Sequence, residues 1–174
     1  MKFIKTCLAL FVILFWLQTA LAQPSPSITK KDFKDLIGQW EGSLSYLDYS
    51  TNTPYTMPAN LEVKQIGISN HFLFKHHYPN EPIANATDTI ILSENFQKIN
   101  KASVTSRNKL MDGNLIIITE ERGADGNDHQ PALIKTTYII GKNILVERKD
   151  VQIAGQLEWI KRHEYSYKRV KPIQ

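Results

Sequence analysis

The chain is 174 residues long and has one cysteine, Cys7, inside an N-terminal apolar run. Without a second thiol no disulfide can staple the fold, so packing must hold it. The sequence has no block of like charge. With Lys2 and Lys5 set aside, 19 of the 21 basic side chains face 17 acidic ones and are interspersed with them. No basic stripe tracks phosphates, which argues against a nucleic-acid partner. There is no G-x-S-x-G nucleophile elbow, and neither a P-loop nor G-x-G-x-x-G occurs. No helical pattern separates the strand-like segments, so parallel β-α-β units are excluded. No internal repeat is visible.

The first residues are processing sequence. Lys2 and Lys5 precede the apolar run Cys7 to Leu17, and Ala20-Leu21-Ala22 supplies small residues where a signal peptidase reads them. Residues 1–22 are therefore expected to be a signal peptide cleaved after Ala22. This implies a secreted or periplasmic protein with no stable membrane span after cleavage. Cys7 lies at the start of the run, the wrong place for a lipid-attachment cysteine. Residues 23–28 (QPSPSI) read as a flexible leader, and 29–174 as one domain, long enough to bury a sizeable core. Asn85-Ala86-Thr87 is an N-x-T sequon.

Thr29 and Asp32 form a capping pattern, and Phe33, Leu36 and Ile37 fall on one helical face. The result is a short helix ending before Gly38. The period then changes to two: Trp40, Gly42, Leu44 and Tyr46 alternate with Glu41, Ser43 and Ser45. Further strands are expected near 57–65, 71–78, 87–94, 98–107, 115–121, 132–140, 143–151 and 157–170. Turn chemistry separates them, as in Asp112-Gly113-Asn114 and Gly141-Lys142. The expected fold is all-β, an antiparallel up-and-down barrel of nine or ten strands with an N-terminal helix over one end. Barrel closure also removes the exposed edges that a flat meander would leave.

Gly38-Gln39-Trp40-Glu41-Gly42 after a short helix, with Arg169 near the end of the last strand, resembles the calycin barrels. These include the lipocalins, the fatty-acid-binding proteins and the nitrobindin-like haem-binding barrels. The resemblance implies that Trp40 plugs the closed end and that Arg169, or else Arg162, packs over its ring, with Gly38 at the same closure. The nitrobindin-like members ligate haem through a histidine on a late strand. His163 holds a similar place, offset by one residue from the pattern relative to Tyr167-Lys168-Arg169-Val170. Haem is therefore the one cofactor the resemblance suggests.

Strand parity nominates the lumen. Trp159, His163, Tyr165, Tyr167 and Arg169 share a face of the last strand; Phe72, Phe74, His76 and Tyr78 share one of the third. With Tyr46 and Tyr138 they outline an aromatic interior in which His76 and His163 are polar anchors. A β-bulge would reverse any of these faces beyond it. His71 and His77 alternate with His76, so no metal site is assigned. Glu120-Glu121-Arg122 reads as a solvated strand end, and Asp125-Gly126-Asn127 as a turn.

Three functions fit. The first is an exported lipocalin-like protein that binds a small hydrophobic or amphipathic molecule. The second is an enzyme using His163 for acid–base chemistry, and the third a filled barrel that binds a partner through Tyr49–Tyr55 or Gly123–Pro131.

Overall fold

The computed structural model describes residues 25–48, 51 and 53–171. The expected signal peptide and the Tyr49–Ser50 and Asn52 part of the first loop lie outside the described residues. Among the described residues no helix is long and apolar enough to cross a membrane.

One short helix, α1 (Lys30–Lys34), precedes ten strands. These are β1 (Gly38–Asp48), β2 (Thr53–Gln65), β3 (His71–His77), β4 (Ala86–Ile91), β5 (Lys98–Ile99), β6 (Ala102–Lys109), β7 (Leu115–Asp125), β8 (Gln130–Ile140), β9 (Ile144–Ile153) and β10 (Ile160–Arg169). The sheet order is β4-β3-β2-β1-β10-β9-β8-β7-β6-β5, and every ladder is antiparallel. Each strand thus neighbours its sequence neighbour, and the β1–β10 ladder joins the two halves into an up-and-down barrel. The ends of that order, β4 and β5, meet through a Leu92–Ile99 bridge. Two backbone bonds flank it, Ser93 N–H to Lys98 C=O (3.1 Å) and Asn100 N–H to Ile91 C=O (2.7 Å). Beyond this short clasp, β4 and β6 form no ladder. The barrel is nearly closed, with one lateral seam.

The helix forms where its capping box is complete. Thr29 accepts from the Asp32 N–H at 3.3 Å, and Asp32 accepts from the Thr29 N–H at 2.7 Å. The Asp32 carboxylate also takes a two-pronged bond from Arg107 of β6 at 2.7 and 2.9 Å. Burial opposes its ionisation, but the bonds from Arg107 and Thr29 outweigh burial and hold its pKa below the usual value. A five-residue helix cannot stand alone. It is held because Phe33 and Leu36 are fully buried in the barrel core. Ile37, expected on the same apolar face, is 40% exposed, because the helix has already ended. Ile28 corrects the reading of residues 23–28 as a leader. Its side chain is buried and its N–H bonds the Phe96 carbonyl at 2.9 Å.

The two glycines around Trp40 have separate causes. Gly38 opens β1 at φ +134°, in the range that favours glycine, and a Cβ there would lie 3.1 Å from Arg169 Nη1. At Gly42 a Cβ would collide with the Ser166 backbone carbonyl of β10. The glycine therefore sets the close approach of β1 and β10. Between them Trp40 is 1% exposed and donates its indole N–H to the Leu36 carbonyl at 2.8 Å. The Arg169 guanidinium lies over the ring, 4.1 Å from its centroid. Replacing Trp40 with Ala empties the closed end and is expected to lower stability by about 3–5 kcal/mol in urea unfolding. Arg169→Met is expected to cost about 1–2 kcal/mol, because it removes the cation from the Trp40 ring and the donors from the Lys142, Ile37 and Asp35 carbonyls.

Candidate functional site

Core residues fill the closed end of the barrel. Trp40, Phe33, Leu61, Val63, Phe72, Ile117, Leu145 and Tyr167 are each at most 2% exposed. The far end of β7–β10 is also partly filled. Val151, Ile153 and Ala132 form a second small cluster, flanked by Ile134 and Ile160. Beside it Asp125 of β7, 5% exposed, bonds Arg162 of β10 at 2.6 Å and faces Lys149 of β9 at 3.6 Å. Arg162 is thus committed to Asp125 and not to Trp40. This ion triad spans two intervening strands across the interior.

A cavity of about 300 Å³ remains between these fillings. Phe74 and His76 of β3, Asp88 and Ile90 of β4, Thr119 and Glu121 of β7, Thr136 and Tyr138 of β8 and Glu147 of β9 line it. Register explains the assembly. Phe74 pairs with Asp88, Thr119 with Thr136, and Tyr138 with Glu147, which pairs in turn with Tyr165. The cavity reaches the outside at the seam. Thr89, on the opposite face of β4, also borders it, and the Asp88 side chain is 65% exposed although its parity points inward.

His76 is the best-connected polar group here. Its Nε2 lies 3.5 Å from Asp88 Oδ2 and its Nδ1 3.4 Å from the Tyr167 hydroxyl. Its ring stacks on Tyr78 at 6.4 Å and tilts against Tyr165 at 5.2 Å. Burial lowers its pKa against the pull of Asp88. The Tyr78 and Tyr165 hydroxyls bond each other at 2.7 Å. Burial and that bond raise the Tyr165 pKa; burial raises those of Tyr167 and Tyr138. His163 sits edge-on to Tyr165 at 5.5 Å. Burial, reinforced by Lys149, pushes its pKa down to about 4.

The remaining nominated residues divide by register. Tyr46 packs half-buried against Tyr55 at 5.5 Å. Phe72 and Phe74 are core, and Phe74 also touches the cavity. Trp159 is a correction. A register shift between Lys161 and His163 reverses the face, and the ring lies on the outer side under Lys135 Nζ, 3.8 Å from its centroid. Glu121 is another correction. β7 runs on to Asp125, so Glu121 is mid-strand and faces the cavity, not a solvated rim. Gly123–Pro131, expected as a loop, is mostly the β7–β8 hairpin around residues 126–129.

Glu147 had no signal in the sequence. Both faces of β9 carry an apolar start and a charged middle, so parity gives no inward side. It has no hydrogen bond or ion pair among the described residues, and no fully buried side-chain polar atom lacks a partner. Its oxygens therefore open on the cavity. Burial, with Asp88 adding to it, pushes its pKa up to about 7.

Haem fits this geometry poorly. His163 does not border the cavity, and a ligand with two carboxylates of its own would meet three more.

No family model matches the chain, and no curated protein does. Among solved structures it is similar in fold to Rv2717c from M. tuberculosis, with a TM-score of 0.50 and 11% identity over 84% of this chain and 100% of that one. The S-type phycobiliprotein lyase CPES from Guillardia theta aligns with a TM-score of 0.47 and 6% identity, covering 86% of this chain and 95% of that one.

The two shifted groups give opposite pH signatures. Glu147 binds its proton more tightly when folded, so its contribution to stability is lost as pH rises from 4.5 to about 7. Glu147→Gln should match the parent near pH 4.5 and exceed it by on the order of 1–3 kcal/mol near pH 8. His163 is held neutral, so its contribution is lost as pH falls from 6.5 to about 4. His163→Gln should flatten that acid limb. Thermal melts across pH check both.

Proposed function

We propose that this is an exported protein that binds a small hydrophobic or amphipathic molecule inside its barrel. The cavity of about 300 Å³ carries the reading, because it sets a small apolar patch against a larger set of converging polar groups. Phe74, Ile90 and Tyr138 supply the patch; His76, Asp88, Glu121 and Glu147 supply the polar side. The signal-peptide pattern of residues 1–22 supports export. His76 is the nominated anchor that borders the cavity. His163 stands one residue row away, behind Tyr165.

A second reading has one observation in its favour. An unpaired carboxyl poised near neutral pH suits acid–base catalysis better than a histidine held neutral to about pH 4. In that reading Glu147, not His163, moves the proton.

Native mass spectrometry of the protein recovered from an exporting host tests the first reading. A non-covalent adduct lost on denaturation is expected. A bare chain, together with no uptake of small aromatic probes, would sink it. An adduct whose mass is the same before and after prolonged incubation of the parent marks a binder. Different masses, related as substrate and product, mark an enzyme.

A further inference from the structure

The charge lining the cavity is one-sided. Three carboxylates border it, Asp88, Glu121 and Glu147, and no lysine or arginine does. The nearest interior cations, Lys149 and Arg162, are turned to Asp125. Burying an ionised carboxylate without a partner is costly, so such a group is a place where a counter-charge is missing. Glu147 is that group: half-buried, bordering the cavity, and without a hydrogen bond or ion pair among the described residues. Asp88 stands at the seam in contact with solvent, and Glu147, half-buried, borders the same cavity from β9. Two aromatic rings stand among the lining residues. Phe74 and Tyr138 border the cavity, and ring faces attract cations when water is excluded.

The geometry points to a small organic cation as the ligand: a protonated amine on a compact apolar body, entering through the β4–β6 seam and placing its ammonium against Glu147. This rests on the lumen-binding reading and adds the charge of the ligand. Asp88 meets the cation first, Glu121 shares the polar side, and the apolar body fills the space against Phe74 and Ile90. A neutral amphiphile would leave Glu147 without a counter-charge. An anion would add a fourth negative group to the site.

The pH dependence follows from every group that faces Glu147. Tyr138 and Tyr165 flank it from β8 and β10, Asp88 faces it from β4, and Tyr167 is nearby on β10. Lys149, two residues along β9, is engaged with Asp125. Glu121 and His76 border the same cavity. None of the tyrosines ionises near neutrality, since burial raises the pKa of each of the three. His76, its pKa lowered by burial, stays neutral there. Binding a cation should therefore expel the Glu147 proton, and affinity should rise between about pH 6 and pH 8.

The test uses three probes of one size on the full purified protein: benzylammonium, benzyl alcohol and benzoate, measured by titration calorimetry. The expected result is that benzylammonium binds at least about tenfold more tightly than benzyl alcohol near pH 8. That preference should shrink toward pH 6 and vanish in Glu147→Gln, which is isosteric and should fold. If benzyl alcohol or benzoate binds as tightly as benzylammonium, the cation assignment is overturned while lumen binding stands. A preference that survives in Glu147→Gln overturns the role of that residue. If none of the three binds, the cation assignment fails; a bare chain in the mass measurement would then remove the lumen reading as well.

Discussion

The stacking of Arg169 on Trp40 is the contact on which the rest of the barrel depends. Trp40 belongs to the first strand and Arg169 to the last, and the two are register partners in the ladder that joins the halves of the sheet. The guanidinium also donates to the carbonyls of Lys142, Ile37 and Asp35. One side chain thus ties the β8–β9 turn, the segment after the helix and the first strand to the last. A cation over an indole face contributes on the order of 1 kcal/mol, and its donors add three charge-assisted hydrogen bonds to backbone carbonyls at the surface. Gly42 permits this by letting β10 come close, and Asp32 with Arg107 clamps the helix from the other side.

Closing one end so firmly moves the opening elsewhere. The order of the sheet ends at β4 and β5, which share only the clasp around Leu92 and Ile99. The opposite end of β7–β10 holds an apolar cluster and the Asp125–Arg162–Lys149 ions. The space that remains opens sideways. A lateral seam beside a cavity gives a ligand a path that needs no opening of the closed end. Few backbone bonds cross it, so this is also where the barrel can separate at least cost.

The polar groups of the interior fall into two sets with different chemistry. In the Tyr78–Tyr165 and His76–Tyr167 contacts, burial raises the pKa of Tyr165 and Tyr167 and lowers that of His76, which favours the neutral form of each. Such pairs order the interior without charge. Glu147 is the exception, with a raised pKa and no partner. Stability would be served better by an amide or an apolar side chain at that position. Carboxylates held at such a cost occur where a ligand, a proton or a substrate completes them.

Local pattern alone sufficed for most of the strands, the capped helix, the all-β class and the Gly-Trp-Gly entrance to the first strand. The expected strand 98–107 is instead two antiparallel strands, Lys98–Ile99 and Ala102–Lys109, folded at Asn100, whose φ is positive. Period-two alternation and turn residues are properties of neighbours in the chain, and a Trp between glycines has few uses at a strand start. Which residues meet across the barrel depends on register, bulges and curvature. One inserted residue near Arg162 turned Trp159 outward and spared His163. The continuation of β7 to Asp125 turned Glu121 inward. Glu147 was illegible because both faces of its strand read alike, and only pairing with Tyr138 and Tyr165 assigns it a side. A cavity is what remains when side chains from strands far apart in sequence fail to meet, so only the tertiary structure could decide where it lies and what charge lines it.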